Sequence, residues 1–370
     1  MPVRVTWPQA LAWRLERQLL APVGRLPVEG VVRRRGGVQA QVASSAELAV
    51  RVRRATSRAG EVDRALAAGK LIKTWAMRGS LHLLTPDDGA AFLALVADAQ
   101  PWRKRAWDAY FHMDADRWVA YREAARDALA NRTLTREELI EAITARPGLD
   151  HVGEGLRSSW GTMLKPLAWQ GDLCYGPSRG NRVTYRRPED ASPAWSGLPP
   201  IEVAAPKAIA TYVGAYGPAT VDAFRRWLGA GSARIRRLVK EHGGRLVEVD
   251  VDGEPAFVLD DHVEALAAAR PTSAVRLVPG FDAYVLGPGS TDGHVIPRGR
   301  RSAVSRQAGW ISPVVVAGGV VAGTWLLDGD VVEVTWFGEA GRPPRTALGE
   351  EVERLATIVG RELATAVAVS

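Results

Sequence analysis

Apolar and polar positions follow one order three times along the chain. A helical stretch ends at glycine, and a charged residue, a leucine and a further apolar residue then begin a new segment. The instances are Gly69-Lys70-Leu71-Ile72, Gly171-Asp172-Leu173-Cys174 and Gly244-Arg245-Leu246-Val247. A glycine just past a helix end supplies the left-handed cap, and a strand begins directly after it. The segments that follow read as β-hairpins. They are 70–84, turning near Met77-Arg78-Gly79; 172–186, turning at Pro177-Ser178-Arg179-Gly180-Asn181; and 245–259, turning at Asp252-Gly253-Glu254.

Helices with recognisable starts precede each hairpin. Ser44-Ser45 cap a helix running through Arg53, with Glu47 in its first turn. Thr135 with Glu138 makes a capping box, Ser158-Ser159 precede a helix reaching Gln170, Pro218-Ala219-Thr220 open one near 220–228, and another covers 232–241. Helix, helix, hairpin is the order of a winged helix, a unit that many duplex-DNA binders lay on a groove. After residue 272 the pattern changes to strands. Val275–Leu286 alternates, 314–321 is a hairpin around Gly318-Gly319, Val331–Phe337 is a strand, a helix over Leu348–Val367 closes the chain, and 287–310 is a long Gly, Arg and Ser-rich loop. The fold class is α+β, with three tandem winged-helix motifs and a C-terminal strand-rich β subdomain. The segments are 1–130, an N-terminal helical region with the first winged helix; 131–190, the second; 200–271, the third; and 272–370, the β-rich part with its terminal helix. The Pro188–Pro200 stretch has linker composition.

Composition narrows the function classes. The chain has 370 residues, more than one typical core, and 46% hydrophobic content. No run approaches the roughly 18 uninterrupted apolar residues of a membrane span. The start, Met1-Pro2-Val3-Arg4, leads into an amphipathic segment rather than a secretory stretch, so a cytoplasmic protein is expected. Cys174 is the only cysteine, which excludes an intramolecular disulfide. The six histidines (82, 112, 151, 242, 262, 294) never fall at metal-ligand spacing, and no Gly-rich phosphate loop appears at a strand–helix junction. No metal and no cofactor is expected.

Charge adds a direction. The net charge is +7, and residues 1–105 hold 18 Lys and Arg against 8 Asp and Glu. Arg225, Arg226, Arg234, Arg236, Arg237 and Lys240 lie in one acid-free stretch, and His294, Arg298, Arg300, Arg301 and Arg306 in another. Such clusters are the footprint of phosphate contacts, although the excess of Arg over Lys is also what a GC-rich genome produces.

Against that background Gln39-Ala40-Gln41 stands directly behind Arg33-Arg34-Arg35-Gly36-Gly37. On extended backbone two residues one apart share a side. An amide offers an acceptor and donors without a charge, so a pair can hold a water beside an anionic ligand. The motif Trp75-Ala76-Met77-Arg78-Gly79-Ser80-Leu81-His82-Leu83 follows, then Leu173-Cys174-Tyr175-Gly176-Pro177, Tyr216-Gly217-Pro218-Ala219-Thr220 and Val278-Pro279-Gly280-Phe281-Asp282-Ala283-Tyr284-Val285-Leu286-Gly287. Over nearly its whole length the chain resembles the AlkZ-type winged-helix DNA glycosylases, whose founding member unhooks azinomycin interstrand crosslinks. Gln41 aligns it with the Gln-x-Gln branch rather than the Gln-x-Asp one.

The resemblance implies a monofunctional DNA glycosylase that hydrolyses the N-glycosidic bond of N7-alkylated guanine. Bulky adducts, interstrand crosslinks and self-resistance to a DNA-alkylating natural product fall within that expectation. The implied partner is double-stranded DNA containing alkylated guanine, met by a monomer. Gln39 and Gln41 are the implied catalytic residues. Arg33, Arg34, Arg35, Arg78, His82, Arg298, Arg300 and Arg301 are candidate DNA contacts. His82 reads also as a core or wing residue with a structural role, and Asp282 as a second catalytic carboxylate or a buried residue fixing the C-terminal β subdomain. Two readings of another class remain: a non-catalytic multi-winged-helix DNA-binding regulator or architectural protein, which has no need of paired amides, and a nuclease, which lacks a visible Asp/Glu cluster.

Overall fold

The computed structural model describes residues 2–158 and 160–370. Its α and β elements divide between two compact units. One comprises Met1–Val62, Ile209–Trp227 and Gly231–Ser370, and the other Asp63–Ala208 and Leu228–Ala230. Among the described residues no helix is long and apolar enough to cross a membrane.

The first unit holds two sheets. In the smaller, Val3–Val5 runs parallel to Leu246–Val251, which pairs antiparallel with Glu254–Leu259. The hairpin turns at Asp252-Gly253, both at positive φ, as the Asp-Gly pair suggests. Helices Val221–Leu228 and Ser232–His242 precede it, the first opened by the Thr220 hydroxyl accepting from Ala223 N at 3.1 Å. The larger sheet has five strands in the order Val275–Val278, Val314–Ala317, Val320–Asp328, Val331–Trp336, Ala364–Val369, the last pairing parallel. One of its faces packs Leu277, Val315, Trp325 and Trp336 against Leu348, Val352 and Leu355 of the helix Arg345–Val359. The other packs Val278, Val314, Val316 and Val321 against Leu11 and Leu15 of the helix Trp7–Arg17.

Several expectations need correction here. The helix from Ser44-Ser45 begins at Ala43, takes Val42 at its N-cap with no side-chain bond, and ends at Arg51. Glu47 instead accepts from the backbone N–H groups of Gly60 and Val62, at 2.9 and 3.2 Å, where the next helix starts. The strand from Val275 stops at Val278, because Pro279-Gly280 breaks the ladder, and Ala283–Leu286 is a helical turn. The terminal helix is shorter than expected. Gly360 caps it at φ 78°, and Ala364–Val369 becomes the fifth strand. The stretch 287–310 is built of short helical turns and is anchored by the buried side chains of Val295, Ile296 and Val304.

The second unit contains the other two hairpins. Ile72–Trp75 pairs antiparallel with Leu81–Leu84, and Cys174–Tyr175 pairs antiparallel with Thr184–Arg186, joined on its far side by Leu134–Thr135. The capping box of Thr135 and Glu138 is formed. Gly69 and Gly171 take positive φ, 67° and 75°, ahead of their strands. Leu164–Trp169 is the helix that reaches Gln170; of its expected Ser158-Ser159 start, Ser159 lies outside the described residues.

Candidate active site

The helix Val28–Arg34 ends one turn before the glutamines, and the chain leaves it through Gly36 and Gly37 at φ 63° and 107°. An L side chain is strained at such φ, and a Cβ on Gly36 would also meet Thr211 at 3.3 Å, so two glycines make this exit. Extended backbone follows at Val38–Gln39. Val38 and Ala40 are buried at 1% and 2% exposure, so Gln39 and Gln41 face the other way. Burying a valine is worth about 1.5–3 kcal/mol. A one-residue slip would expose Val38 and bury amides instead, which costs about 1–3 kcal/mol for each unpaired group. Packing therefore sets the direction of the glutamines. Gln41 is exposed and Gln39 is half-buried. The Gln39 Oε1 is buried and accepts no hydrogen bond among the described residues.

Arg35 does not continue the basic run onto the surface. It is wholly buried with Arg53 and Asp282. Arg53 grips Asp282 with two nitrogens, at 2.7 and 2.9 Å, and Arg35 donates to Oδ2 at 3.0 Å. Asp282 Oδ1 also accepts from Tyr284 N at 2.7 Å, and Arg53 donates to the carbonyls of Gln18 and Ala49, both at 2.8 Å. The backbone carbonyl of Arg35 accepts from the Tyr216 hydroxyl at 2.6 Å. Burial alone would raise the Asp282 carboxyl, but Arg35 and Arg53 hold it below the usual carboxylate range. Arg53 is pulled down to about 10 by burial and by Arg35. The carboxylate is thus committed to two guanidiniums and a backbone N–H with no face open to a substrate. This favours the structural reading of Asp282, and Arg35 leaves the set of candidate DNA contacts.

His82 is also buried, at 3% exposure, and its Nδ1–H donates to the Ser80 carbonyl at 2.9 Å. Burial and the neighbouring Arg78 pull its pKa down to about 3, so the ring stays neutral. A neutral ring held inside a hairpin offers phosphate nothing, and His82 moves from the DNA-contact set to the hairpin's own structure. Arg78, in the turn Met77–Gly79 at φ 55°, is exposed. Arg33 is exposed, while Arg34 is half-buried and donates to the Arg17 carbonyl at 3.2 Å. Arg298 and Arg301 are exposed, but Arg300 is occupied. It binds both Glu339 oxygens at 2.7 Å and the Ser370 carbonyl at 2.7 Å, and lies over the Phe337 ring. Its role is to tie this segment down. On the helix Ser232–His242, Ile235 and Leu238 are buried while Arg236, Arg237 and Lys240 are exposed, which leaves a basic outer face. Cys174 is fully buried and its thiol is pushed up to about 12 by burial, far from a nucleophile's range.

The triad was out of reach of the sequence, because Arg35, Arg53 and Asp282 are separated by up to 247 residues. The only local signal was one aspartate inside an apolar motif.

Comparison with known proteins places this arrangement. The family model for the AlkZ-like DNA glycosylases matches residues 32–358. The chain is 43% identical over 362 residues, 97% of its length and 98% of the relative's, to an interstrand DNA cross-link repair glycosylase of Streptomyces sahachiroi. It also superposes on the solved structure of the Streptomyces sahachiroi DNA glycosylase AlkZ with a TM-score of 0.95 and 42% identity, covering 99% of this chain and all of that one. The chain belongs to the AlkZ-like DNA glycosylase family, and its class is that of a DNA glycosylase. The regulator and nuclease readings give way to that membership.

Proposed function

We propose that this enzyme hydrolyses the N-glycosidic bond of N7-alkylated guanine in duplex DNA, including bulky adducts and interstrand crosslinks, and leaves an intact abasic strand. The observation that carries the reading is the Gln39 side-chain carbonyl oxygen, buried and without a partner among the described residues, two positions before the exposed Gln41. A buried acceptor with no donor is a cost that a bound water or ligand removes.

The chemistry needs little more. Alkylation at N7 gives guanine a formal positive charge, so the base departs without a general acid. What remains is an oxocarbenium-like sugar and a water aligned on its far face. The Gln39 carbonyl accepts from that water and orients it, Gln41 provides the second polar contact, and positioning of this kind removes a large share of a barrier. Neither amide is basic enough to take the proton, so the base leaves as neutral N7-alkylguanine and the added water loses its proton to solvent. With Asp282 enclosed by arginines and His82 neutral inside its hairpin, the unpartnered Gln39 oxygen and the exposed Gln41 amide are the polar groups suited to the task.

The proposed phosphate contacts are Arg33, Arg34, Arg78, Arg298 and Arg301, joined by the outer face of 232–242. The three helix–helix–hairpin runs are proposed as winged helices, within 1–130, 131–190 and 200–271, and 272–370 as the β-rich part. The protein is proposed to act as a monomer in the cytoplasm, on the nucleoid, and to protect a producer of a DNA-alkylating natural product from it.

The test is incubation with duplex DNA carrying a single N7-methylguanine. Release of the free base, with strand breakage only after alkali, is the expected result. Spontaneous strand scission, or a covalent complex trapped by borohydride, contradicts the monofunctional mechanism.

A further inference from the structure

The second unit contains a cavity of about 280 Å³ lined by Arg78, Leu95, Trp107, Thr162, Lys165 and Trp169 together with small residues of 228–230. Its size lies just below the range of about 300–1,000 Å³ common for small-ligand sites. No carboxylate lines it. The side-chain polar groups of its lining residues are, apart from the Thr162 hydroxyl, donors only: the Arg78 guanidinium, the Lys165 ammonium and the indole N–H groups of Trp107 and Trp169.

Two of those donors are unused. The Trp169 Nε1–H is buried without a partner, and Trp169 itself is only 7% exposed. Lys165 is half-buried, and no ion pair or hydrogen bond of its ammonium occurs among the described residues. Gly79 stands beside the Trp169 ring and Lys165 at φ 66°, where an L side chain is strained. Arg78 is held by close packing, since a Cβ on Gly229 would come within 3.0 Å of its Cα. The remaining walls are apolar and aromatic.

Such a site asks for a ligand with negative charge, hydrogen-bond acceptors and a flat apolar face. We propose that this cavity binds one undamaged nucleotide, with its phosphate on Lys165 and Arg78 and its base against Trp107 and Trp169. A base stacked on an aromatic ring contributes without regard to sequence, and cations beside it hold the backbone. The cationic N7-alkylguanine is the wrong occupant, because two positive charges line the wall. A phosphate at Lys165 also offsets the burial that lowers the pKa of its ammonium. The inference rests on the enzyme's action on DNA but not on the roles of Gln39 and Gln41.

Calorimetric titration of the full chain tests it, with dAMP, deoxyadenosine, inorganic phosphate and a short single-stranded oligo-dA as probes. Wild-type protein should bind dAMP at least tenfold more tightly than deoxyadenosine or phosphate. Lys165→Met should weaken dAMP binding about tenfold or more at an unchanged melting temperature, and Trp107→Leu should weaken it as well. Binding of the oligonucleotide without dAMP, lost in the same variants, identifies a strand of DNA rather than a free nucleotide as the source. If no probe binds, if phosphate alone binds as well as dAMP, or if Lys165→Met binds all probes like wild type, the proposal is overturned. Excision of N7-methylguanine by wild-type protein, measured on the same preparation, distinguishes failure of this cavity from failure of the glutamine chemistry.

Discussion

Replacing Asp282 with Asn separates a structural carboxylate from a catalytic one. The amide keeps the shape and an acceptor for the Tyr284 N–H, now at 2.7 Å, but removes the charge that Arg35 and Arg53 share. Two fully buried guanidiniums are then left uncompensated. Removing one partner of a buried pair costs about 3–5 kcal/mol. For a body of about 200 residues each kcal/mol shifts the melting temperature by roughly 2–4 °C, so a drop of about 6–20 °C is expected. The assay is thermal denaturation at neutral pH, with excision then measured well below the transition and normalised to folded protein. Excision per folded molecule should stay within about threefold of wild type. Arg35→Met is a milder control, because Arg53 still pairs with Asp282 one to one; it should lose less stability than Asp282→Asn. The pH dependence has a definite sign. The carboxyl is held below its ordinary value in the fold, so its contribution is complete above the unfolded pKa of about 3.9 and is lost as pH falls below that. Asp282→Asn should lack this acid-limb loss. A variant that melts within about 2 °C of wild type yet loses excision a hundredfold would refute the reasoning and make Asp282 part of the chemistry.

Two further outcomes follow from the site. His82 is neutral in the fold, with its pKa at about 3 against 6.5 for the free ring, so stability is complete above pH 6.5 and falls as pH drops from there towards 3, by up to about 1.4 kcal/mol per unit. Urea denaturation at pH 7.5 and 5 should show this loss in wild type and a smaller one in His82→Gln; equal losses would place another group behind it. Neutralising Arg298 and Arg301 together should weaken binding to duplex DNA of any sequence and flatten the dependence of log K on log salt by up to about one unit per lost phosphate contact. Filter binding between 50 and 200 mM salt reads this directly, and an unaltered slope would place both residues off the DNA.

How far the sequence led depended on the range of the interaction involved. Hairpins announced by Gly69 and Gly171 were legible because a left-handed glycine and the strand beyond it are local matters. At the third site the motif worked for a different reason, since the helix ends on Gly243 at φ −88° and neither Gly243 nor Gly244 takes a positive φ. The C-terminus misled for a local reason as well. Small and β-branched residues alternate over Ala364–Val369, a strand pattern, but the helix formers Arg361, Glu362 and Leu363 run up to it and Gly360 lay inside the expected helix rather than at its end. At the site, the spacing of Gln39 and Gln41 on either side of one small residue was legible, and Val38 and Ala40 are buried beside them. Whether an arginine reaches DNA was not. Arg33 and Arg35 look alike in sequence, yet about half a turn of helix sends the second to a carboxylate 247 residues away, and Arg300 is claimed by Glu339. Charge runs report composition, and only tertiary pairing reports which charges remain available.

The glutamines carry the central claim. The decisive measurement is the single-turnover rate of N7-methylguanine release by Gln39→Ala and Gln41→Ala, each alone and together, beside melting temperature and DNA affinity. Each single variant should slow release by about tenfold to a thousandfold, the range for loss of one positioned group. The double variant should be only slightly slower than the poorer single one, since both amides serve one water. Stability should hold or rise slightly in Gln39→Ala, because a buried acceptor without a partner is removed, and affinity should barely change. Release at the wild-type rate in both single variants would contradict the claim and leave the glutamine pair with no part in catalysis.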